Sequence, residues 1–213
     1  MIYLEENDPF PPLEFADEDG LLAVGGSLTS ERLMTAYRSG IFPWFNENQP
    51  VLWWSPDPRM VLYPNNFKVS KSLLQKIKSN RFTITFNTAF AEVIKACAQI
   101  KRKKESGTWI TKGMQEAYLE LNRLGHAISV EVWQNNKLVG GLYGVDLPEQ
   151  KIFCGESMFH KETDASKIAF YHLVETLKSK HYLLIDCQVY NKHLESLGAQ
   201  KISRDLFVSI LTK

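Results

Sequence analysis

The spacing of apolar residues divides the chain into an irregular first part and a regular second part. Residues 7–60 are rich in proline, glycine and aromatic side chains, and one short helix is predicted among them, over 29–39. Thr29 is a good N-cap residue, and Gly40 suits a helix end because glycine readily adopts positive φ angles. The remainder should form turns and short extended pieces, so the sequence predicts a small N-terminal domain over residues 1–62.

From about residue 60 the pattern alternates between strand and helix periods. Ile128, Val130 and Val132 recur at every second position, which predicts a strand with one apolar face, and the pair after it at 135–136, Asn-Asn, predicts a hairpin turn. The predicted strands are Met60–Tyr63, Phe82–Phe86, Ala127–Trp133, Leu138–Val145, Lys151–Met158 and Tyr182–Gln188. The predicted helices are Ser70–Ser79, Thr88–Gln99, Thr111–Leu124, Asp164–Ser179 and Asn191–Leu197. This order predicts an α/β (α+β) fold class, with a GNAT-like acyltransferase domain over residues 63–213.

Composition excludes several classes of protein. The 213 residues are 44% hydrophobic and 23% charged, which is ordinary for a globular protein. No apolar run approaches the roughly 18–20 residues that span a bilayer, and the first ten residues lack the basic and apolar regions of a signal peptide. The three cysteines and five histidines show no metal-ligand spacing. We therefore expect a cytoplasmic protein that binds no metal and needs no cofactor.

The net charge of +1 is the sum of three unlike segments. Residues 1–64 carry −7, residues 65–112 carry +9 and residues 113–213 carry −1. The basic band peaks at the run KRKK, residues 101–104. Lysines on a solvated helix face would produce such a band, and so would a surface that binds a polyanion. Charge alone leaves both interpretations open.

The connection at residues 159–164, between a predicted sheet strand and the long helix after it, bears on the acyl carrier. Acyltransferases that use CoA need a glycine-rich turn there, because the backbone must approach the pyrophosphate closely. The connection FHKETD contains no glycine and two acids. A CoA-dependent acyltransferase is therefore disfavoured, and a polyanionic carrier such as tRNA fits the basic band better. A non-catalytic RNA-binding module is a third interpretation.

Several blocks of sequence resemble the leucyl/phenylalanyl-tRNA–protein transferase family. They include WWSPDPR at 53–59, GTWITKGMQEAY at 107–118, GHAISVEVW at 125–133, FCGESMF at 153–159 and IDCQVYN at 185–191. The resemblance implies an enzyme that moves Leu, Phe or Met from aminoacyl-tRNA to proteins with N-terminal Lys or Arg, marking them for degradation. An aminoacyl ester is already activated, so this reaction requires no cofactor. We expect a monomer.

The same resemblance implies a catalytic pair, Asp186 and Gln188. Gln188 would contact the attacking α-amine while Asp186 orients or polarises it, and strand alternation places both on one face. The residues alone also fit a buried hydrogen-bonded pair that braces the strand, and a ribose hydroxyl of the tRNA is an alternative proton carrier. Glu156 and Asp186, on strands predicted to be neighbours, are candidates for an acidic pocket that receives a cationic N-terminus.

The remaining predicted site residues serve the aminoacyl-tRNA. The apolar pocket for the amino acid is assigned to Phe153, Met158, Phe170 and Ile185. Trp109 is a stacking platform for the 3′-terminal adenosine, Trp44 closes over it, and Tyr118 reaches the edge of the site. Ser166 and Asn191 are predicted hydrogen-bond donors. Lys101, Arg102, Lys103 and Lys104 are the predicted tRNA-binding residues.

Overall fold

A computed structural model describes the protein at residues 1–100 and 108–213. The helices in these ranges are α1 (Ser30–Arg38), α2 (Lys71–Lys78), α3 (Phe90–Gln99), α4 (Lys112–Arg123), α5 (Ala165–Ser179), α6 (Lys192–Ser196) and α7 (Arg204–Leu211). The strands are β1 (Tyr3–Leu4), β2 (Leu21–Gly25), β3 (Phe42–Pro43), β4 (Leu52–Trp54), β5 (Arg59–Leu62), β6 (Thr83–Phe86), β7 (Ala127–Gln134), β8 (Lys137–Leu147), β9 (Ile152–His160), β10 (Leu184–Gln188) and β11 (Gln200–Ile202). Every predicted element is present with bounds within about two residues, as is usual for helix and strand ends, which confirms the predicted α/β class.

Side-chain caps explain where several helices begin. Thr29 Oγ1 and Thr111 Oγ1 each accept a hydrogen bond, at 3.3 Å, from the backbone N–H three residues further on. Asp164 lies at the predicted start of α5, but its side chain makes no cap hydrogen bond. Its carboxylate pairs instead with Lys76 and, at 2.9 Å, with Lys167, so it fastens α2 to α5.

The strands of the described ranges form two sheets. The small sheet has the order β1-β2-β4-β3, and the large one the order β11-β5-β10-β9-β8-β7-β6. Asn135 and Asn136, with φ angles of 49° and 58°, make the tight turn between β7 and β8, as predicted. Strand β5 pairs with β10 and β11 inside the large sheet, although the predicted division after residue 62 assigns it to the N-terminal domain.

Both faces of the large sheet are covered. On one face α3, α4 and the N-terminal part pack against it, with Val93 and Met114 completely buried. On the other face α2 and α5 cover Val130 and Val132, the predicted apolar side of β7. Central strands that are buried on both sides are apolar at consecutive positions, as β8 is from Leu138 to Val145.

The central parallel pair, β9 and β10, is joined only over a short stretch. Its register is Leu184↔Ile152, Ile185↔Phe153 and Asp186↔Cys154. Strand β9 continues for six residues beyond Cys154, whereas β10 shifts register between Asp186 and Gln188 and then ends. Gln188 has a φ angle of 62°, which turns the chain away at this point. The two strands therefore separate at their carboxyl ends, which is where α/β sheets commonly bind ligands.

Candidate active site

A cavity of about 350 Å³ opens where β9 and β10 separate. Nine of the predicted site residues line it: Trp44, Trp109, Phe153, Glu156, Met158, Phe170, Ile185, Gln188 and Asn191. They come from the N-terminal part, the segment before α4, strands β9 and β10, α5 and the cap of α6. The topology thus brings together residues that are up to 147 positions apart in the chain.

One side of the cavity is apolar. Phe153, Phe170 and Ile185 are almost completely buried, and Leu142 and Leu173 complete this wall. Burial on this scale leaves the walls well packed around the opening, so their shape is fixed before any ligand enters. Met158 is only half-buried and adds a flexible side chain that adapts to guests of different shape. This side of the cavity suits a branched or flat apolar guest.

Two tryptophans lie at the rim. Trp44 is 39% exposed, and its position is fixed by Trp54, whose indole N–H donates to the carbonyl oxygen of Trp44 at 2.7 Å. The ring centroids of Trp44 and Trp54 are 5.7 Å apart. Trp109 lines the cavity from the segment immediately before α4. Flat aromatic faces at a rim are suited to stacking on a nucleobase.

Glu156 is the acidic group of the cavity, and three hydrogen bonds hold its carboxyl group. Oε1 accepts hydrogen bonds at 2.7 Å from Tyr37 OH and from Gln188 Nε2, while Oε2 accepts one at 3.0 Å from Tyr118 OH. The two tyrosine hydroxyls also contact each other. Burial raises the pKa of Glu156 to about 7, against the hydrogen bonds from Tyr37, Tyr118 and Gln188, which lower it. This carboxyl group therefore changes charge near neutral pH.

Asp186 lies behind the cavity wall and is bound by Arg59. Arg59 Nε donates to Oδ1 at 2.8 Å and its Nη2 donates to Oδ2 at 2.7 Å, with both side chains 1% exposed. Oδ1 also accepts the backbone N–H of Gln188 at 2.9 Å. The Asp186 carboxylate holds the backbone of Gln188, while the side-chain amide of Gln188 is bound to Glu156.

Two other predicted residues, Tyr118 and Ser166, lie outside the cavity lining. Tyr118 is buried beneath it and reaches the site only through its bond to Glu156. Ser166 is buried in the first turn of α5. Asn191 lines the cavity, but its Oδ1 accepts the backbone N–H of His193 at 2.9 Å, so it caps α6 as well. Lys101, Arg102, Lys103 and Lys104 lie outside the described residues.

Two residues that organise the site, Arg59 and Tyr37, are not among the predicted site residues. Arg59 and Tyr37 come from β5 and α1, at distances of 127 and 119 positions from the carboxylates they bind. Arg59 lies in the block WWSPDPR, but nothing in that block marks it as the partner of a carboxylate, and Tyr37 has only the spacing of an apolar helix position.

Within residues 1–100 and 108–213, no three His, Cys, Asp or Glu side chains are grouped closely enough to hold a metal ion. In the same part of the chain, no helix is both long and apolar enough to cross a membrane.

Comparison with known proteins identifies close relatives. A family model described as leucyl/phenylalanyl-tRNA protein transferase matches residues 61–212, and a model of the N-terminal domain of the same transferase matches residues 26–57. The leucyl/phenylalanyl-tRNA–protein transferase of Flavobacterium johnsoniae is 56% identical, over 99% of this chain and 99% of its own. That of Christiangramia forsetii is 53% identical, over 99% and 100%. A solved GCN5-related N-acetyltransferase from Kribbella flavida has a TM-score of 0.39 and 7% identity, over 80% of this chain and 60% of that one.

Proposed function

Because the chain belongs to the leucyl/phenylalanyl-tRNA–protein transferase family, we propose that it transfers Leu or Phe, and also Met, from aminoacyl-tRNA to proteins that begin with Lys or Arg. The chain is an aminoacyltransferase, and the acceptor group is the α-amine of the first residue. The new peptide bond places a large apolar residue at the N-terminus and marks the protein for degradation. The observation that carries the proposal is the cavity itself, which has an apolar wall opposite a carboxyl–amide pair.

The apolar wall accounts for the donor amino acids. Phe153, Phe170 and Ile185 offer a buried surface without charge, so a Leu, Phe or Met side chain is removed from water on entry. Such burial contributes about 1.5–3 kcal/mol per side chain. The half-buried Met158 adjusts to both branched and flat side chains.

The polar side accounts for the acceptor. Glu156 and Gln188 face the cavity from β9 and β10, and a carboxyl group with an adjacent amide attracts and orients a cationic N-terminus. Asp186 keeps Gln188 in place through its backbone N–H, so it acts as a positioning residue. Because the ester is already activated, holding the amine at the carbonyl carbon supplies much of the rate.

The tRNA is held at the rim and by the basic band. We assign the 3′-terminal adenosine to Trp109 and Trp44, where base stacking contributes about 1–3 kcal/mol. The phosphates are assigned to Lys101, Arg102, Lys103 and Lys104 because this run supplies four of the eleven basic residues that give residues 65–112 their charge of +9. We further propose a cytoplasmic monomer, for which light scattering should give the 24.4 kDa mass of one chain.

A transfer assay tests the function directly. The protein is incubated with tRNA that carries labelled Phe and with a peptide that begins with Arg, and the product is identified by mass. We expect Phe-Arg peptide from this acceptor, none from the same peptide with an acetylated N-terminus, and little from one that begins with Glu.

A pair of variants links the product to the cavity. Gln188→Ala should abolish most of the transfer while tRNA binding persists, whereas Gln200→Ala, on the exposed strand β11, should behave as the wild type. Absence of product from the wild type, with tRNA still bound, would leave a non-catalytic RNA-binding protein as the better description. Product from acyl-CoA in place of charged tRNA would indicate an ordinary acyltransferase.

A further inference from the structure

The carboxyl group of Glu156 and the hydroxyls of Tyr37 and Tyr118 form a ring of hydrogen bonds. Oε1 lies 2.7 Å from Tyr37 OH, Oε2 lies 3.0 Å from Tyr118 OH, and the two hydroxyls contact each other. Each of these three contacts needs one proton. Two phenols supply only two, so a carboxylate would leave one contact without a proton.

A protonated carboxyl group completes this ring. Its O–H donates to Tyr118 OH, Tyr118 OH donates to Tyr37 OH, and Tyr37 OH donates to the remaining carboxyl oxygen. Each group then donates one hydrogen bond and accepts one around the ring, while Gln188 Nε2 donates to the free lone pair of Oε1 at 2.7 Å. The ring can therefore take up one proton without losing a contact.

The surroundings of Glu156 allow its carboxyl group to gain and lose this proton near neutral pH. Burial is the largest cause that raises the pKa of Glu156, and the negative charge of Asp186 on β10 adds to it. Arg59 on β5 offsets the charge of Asp186 through their ion pair. The other titratable groups that face the ring are Cys154 on β9 and Tyr143 on β8, and burial raises the pKa of the Cys154 thiol well above its usual value.

The proposed reaction needs a group that takes up a proton. The α-amine of a free N-terminus has a pKa of about 7.7–8.0, so at neutral pH most acceptors enter as ammonium ions, which have no lone pair for attack. A base whose own pKa is close to the working pH is best suited to remove that proton. Glu156 lines the cavity next to Gln188, where the acceptor amine is expected.

We propose that Glu156 accepts the proton that the acceptor's α-ammonium group must lose before attack, and that Tyr37 and Tyr118 are positioning residues that hold the carboxyl group for this role. The inference deepens the proposed function and rests on it. The first step converts R-NH₃⁺ and the Glu156 carboxylate into R-NH₂ and the carboxylic acid. The amine nitrogen then bonds to the ester carbonyl carbon, the carbon–oxygen bond to the ribose breaks, and the second amine proton passes to the ribose oxygen. Glu156 finally releases its proton to water.

The pH dependence of kcat tests the role of Glu156. The wild type should lose activity as the pH falls below about 7, because the carboxyl group must be ionised before it can accept a proton. Glu156→Gln keeps the size and polarity of the side chain but removes the base, so we expect kcat at pH 6.5 to fall by about 10²-fold, the lower end of what general bases contribute. Above pH 8.5 most acceptor amines are already neutral, so the deficit should shrink to a few-fold.

The tyrosines give a second measurement that a purely structural role would not change. Their hydrogen bonds lower the pKa of Glu156, so Tyr37→Phe and Tyr118→Phe should each move the rising limb of the kcat profile to higher pH. At high pH both variants should approach the wild-type rate.

The chain provides a matched control pair outside the cavity. Asp146 is another partly buried carboxyl group whose pKa is raised by burial, and it accepts a hydrogen bond from Tyr182 OH at 2.8 Å. Neither residue lines the cavity, so Asp146→Asn and Tyr182→Phe should leave the pH profile of kcat unchanged.

The outcomes separate this inference from the function on which it rests. If the wild type makes no Phe-Arg peptide at any pH, the proposed function fails and the inference fails with it. If the wild type makes the product and the deficit of Glu156→Gln is the same at pH 6.5 and 8.5, the function stands and the base is some other group. A rise in KM for Arg peptides without a change in the kcat profile would show that Glu156 only binds the acceptor.

Discussion

The buried ion pair between Arg59 and Asp186 allows a quantitative prediction. The guanidinium group makes two hydrogen bonds to the carboxylate, at 2.8 and 2.7 Å, and a third to the carbonyl oxygen of Gly40 at 3.2 Å. It also stacks between Phe42 and Phe207, with 4.7 Å from its central carbon to each ring centroid. Asp186→Asn would leave this cation in the interior without a counter-charge.

The expected cost follows from that burial. Removing one partner of a buried ion pair typically costs about 3–5 kcal/mol, because the remaining charge is desolvated and uncompensated. Arg59→Gln should cost a similar amount, since it leaves the Asp186 carboxylate buried without a counter-charge. The double variant Arg59→Gln/Asp186→Asn retains neutral hydrogen-bonding groups and should be destabilised by no more than either single change. The coupling between the two sites, which is the sum of the two single costs minus the cost of the double variant, should therefore be at least about 3 kcal/mol in favour of the pair.

Urea denaturation followed by tryptophan fluorescence measures these differences. The free energies of unfolding of the four proteins close a double-mutant cycle, and Arg59→Lys is the control that keeps the charge but loses the two-pronged geometry. Costs below about 1 kcal/mol for Asp186→Asn, or single costs that simply add in the double variant, would refute the view that the pair is a structural unit. In that case a direct role of Asp186 at the amine would regain support.

Three further predictions follow from other parts of the structure. Because folding raises the pKa of Glu156 from 4.5 to about 7, its protonated form favours the native state, and stability should fall as the pH rises from about 4.5 to 7. Glu156→Gln should lack this fall and exceed the wild type by about 3 kcal/mol at pH 8 in urea denaturation, whereas parallel curves of stability against pH would exclude the raised pKa. Gly144→Ala would place its new carbon 2.2 Å from the carbonyl oxygen of Cys154 and should lower Tm by several degrees, while Gly113→Ala, on the open surface of α4, should raise it slightly. Trp109→Ala should weaken binding of an aminoacyl-adenosine by about 1–3 kcal/mol by calorimetry and Trp109→Phe by much less, and equal effects would argue against stacking.

The parts of the fold that were predicted correctly depend on local signals. The caps at Thr29 and Thr111 and the Asn135-Asn136 turn act over two to four residues, and the period of the apolar residues distinguishes strands from helices without knowledge of their partners. Asp164 shows the limit of such signals. Its type and position are those of a cap, but its carboxylate forms ion pairs with Lys167 and with Lys76, which lies on another helix.

The candidate site was predicted less completely because its polar contacts span the whole chain. Alternation along β10 predicts that Asp186 and Gln188 share one side of the sheet, but it contains no information on which side chains they contact there. Arg59 and Tyr37 come from more than a hundred residues earlier and carry no sequence pattern that marks them as partners of a carboxylate. Because Arg59 pairs with Asp186, the charge of that carboxylate is compensated, whereas Glu156 is bound by the uncharged hydroxyl of Tyr37.

The separation of β9 and β10 also constrains how such an enzyme can change. Phe153 and Ile185, which shape the donor pocket, face each other at a paired position of the two strands, and Glu156 and Gln188 lie only three residues further along the same strands. A substitution that widens the pocket for a bulkier donor will shift the carboxyl–amide pair through this short stretch of backbone. Donor preference and acceptor kinetics should therefore evolve, and respond to engineering, as a single linked trait.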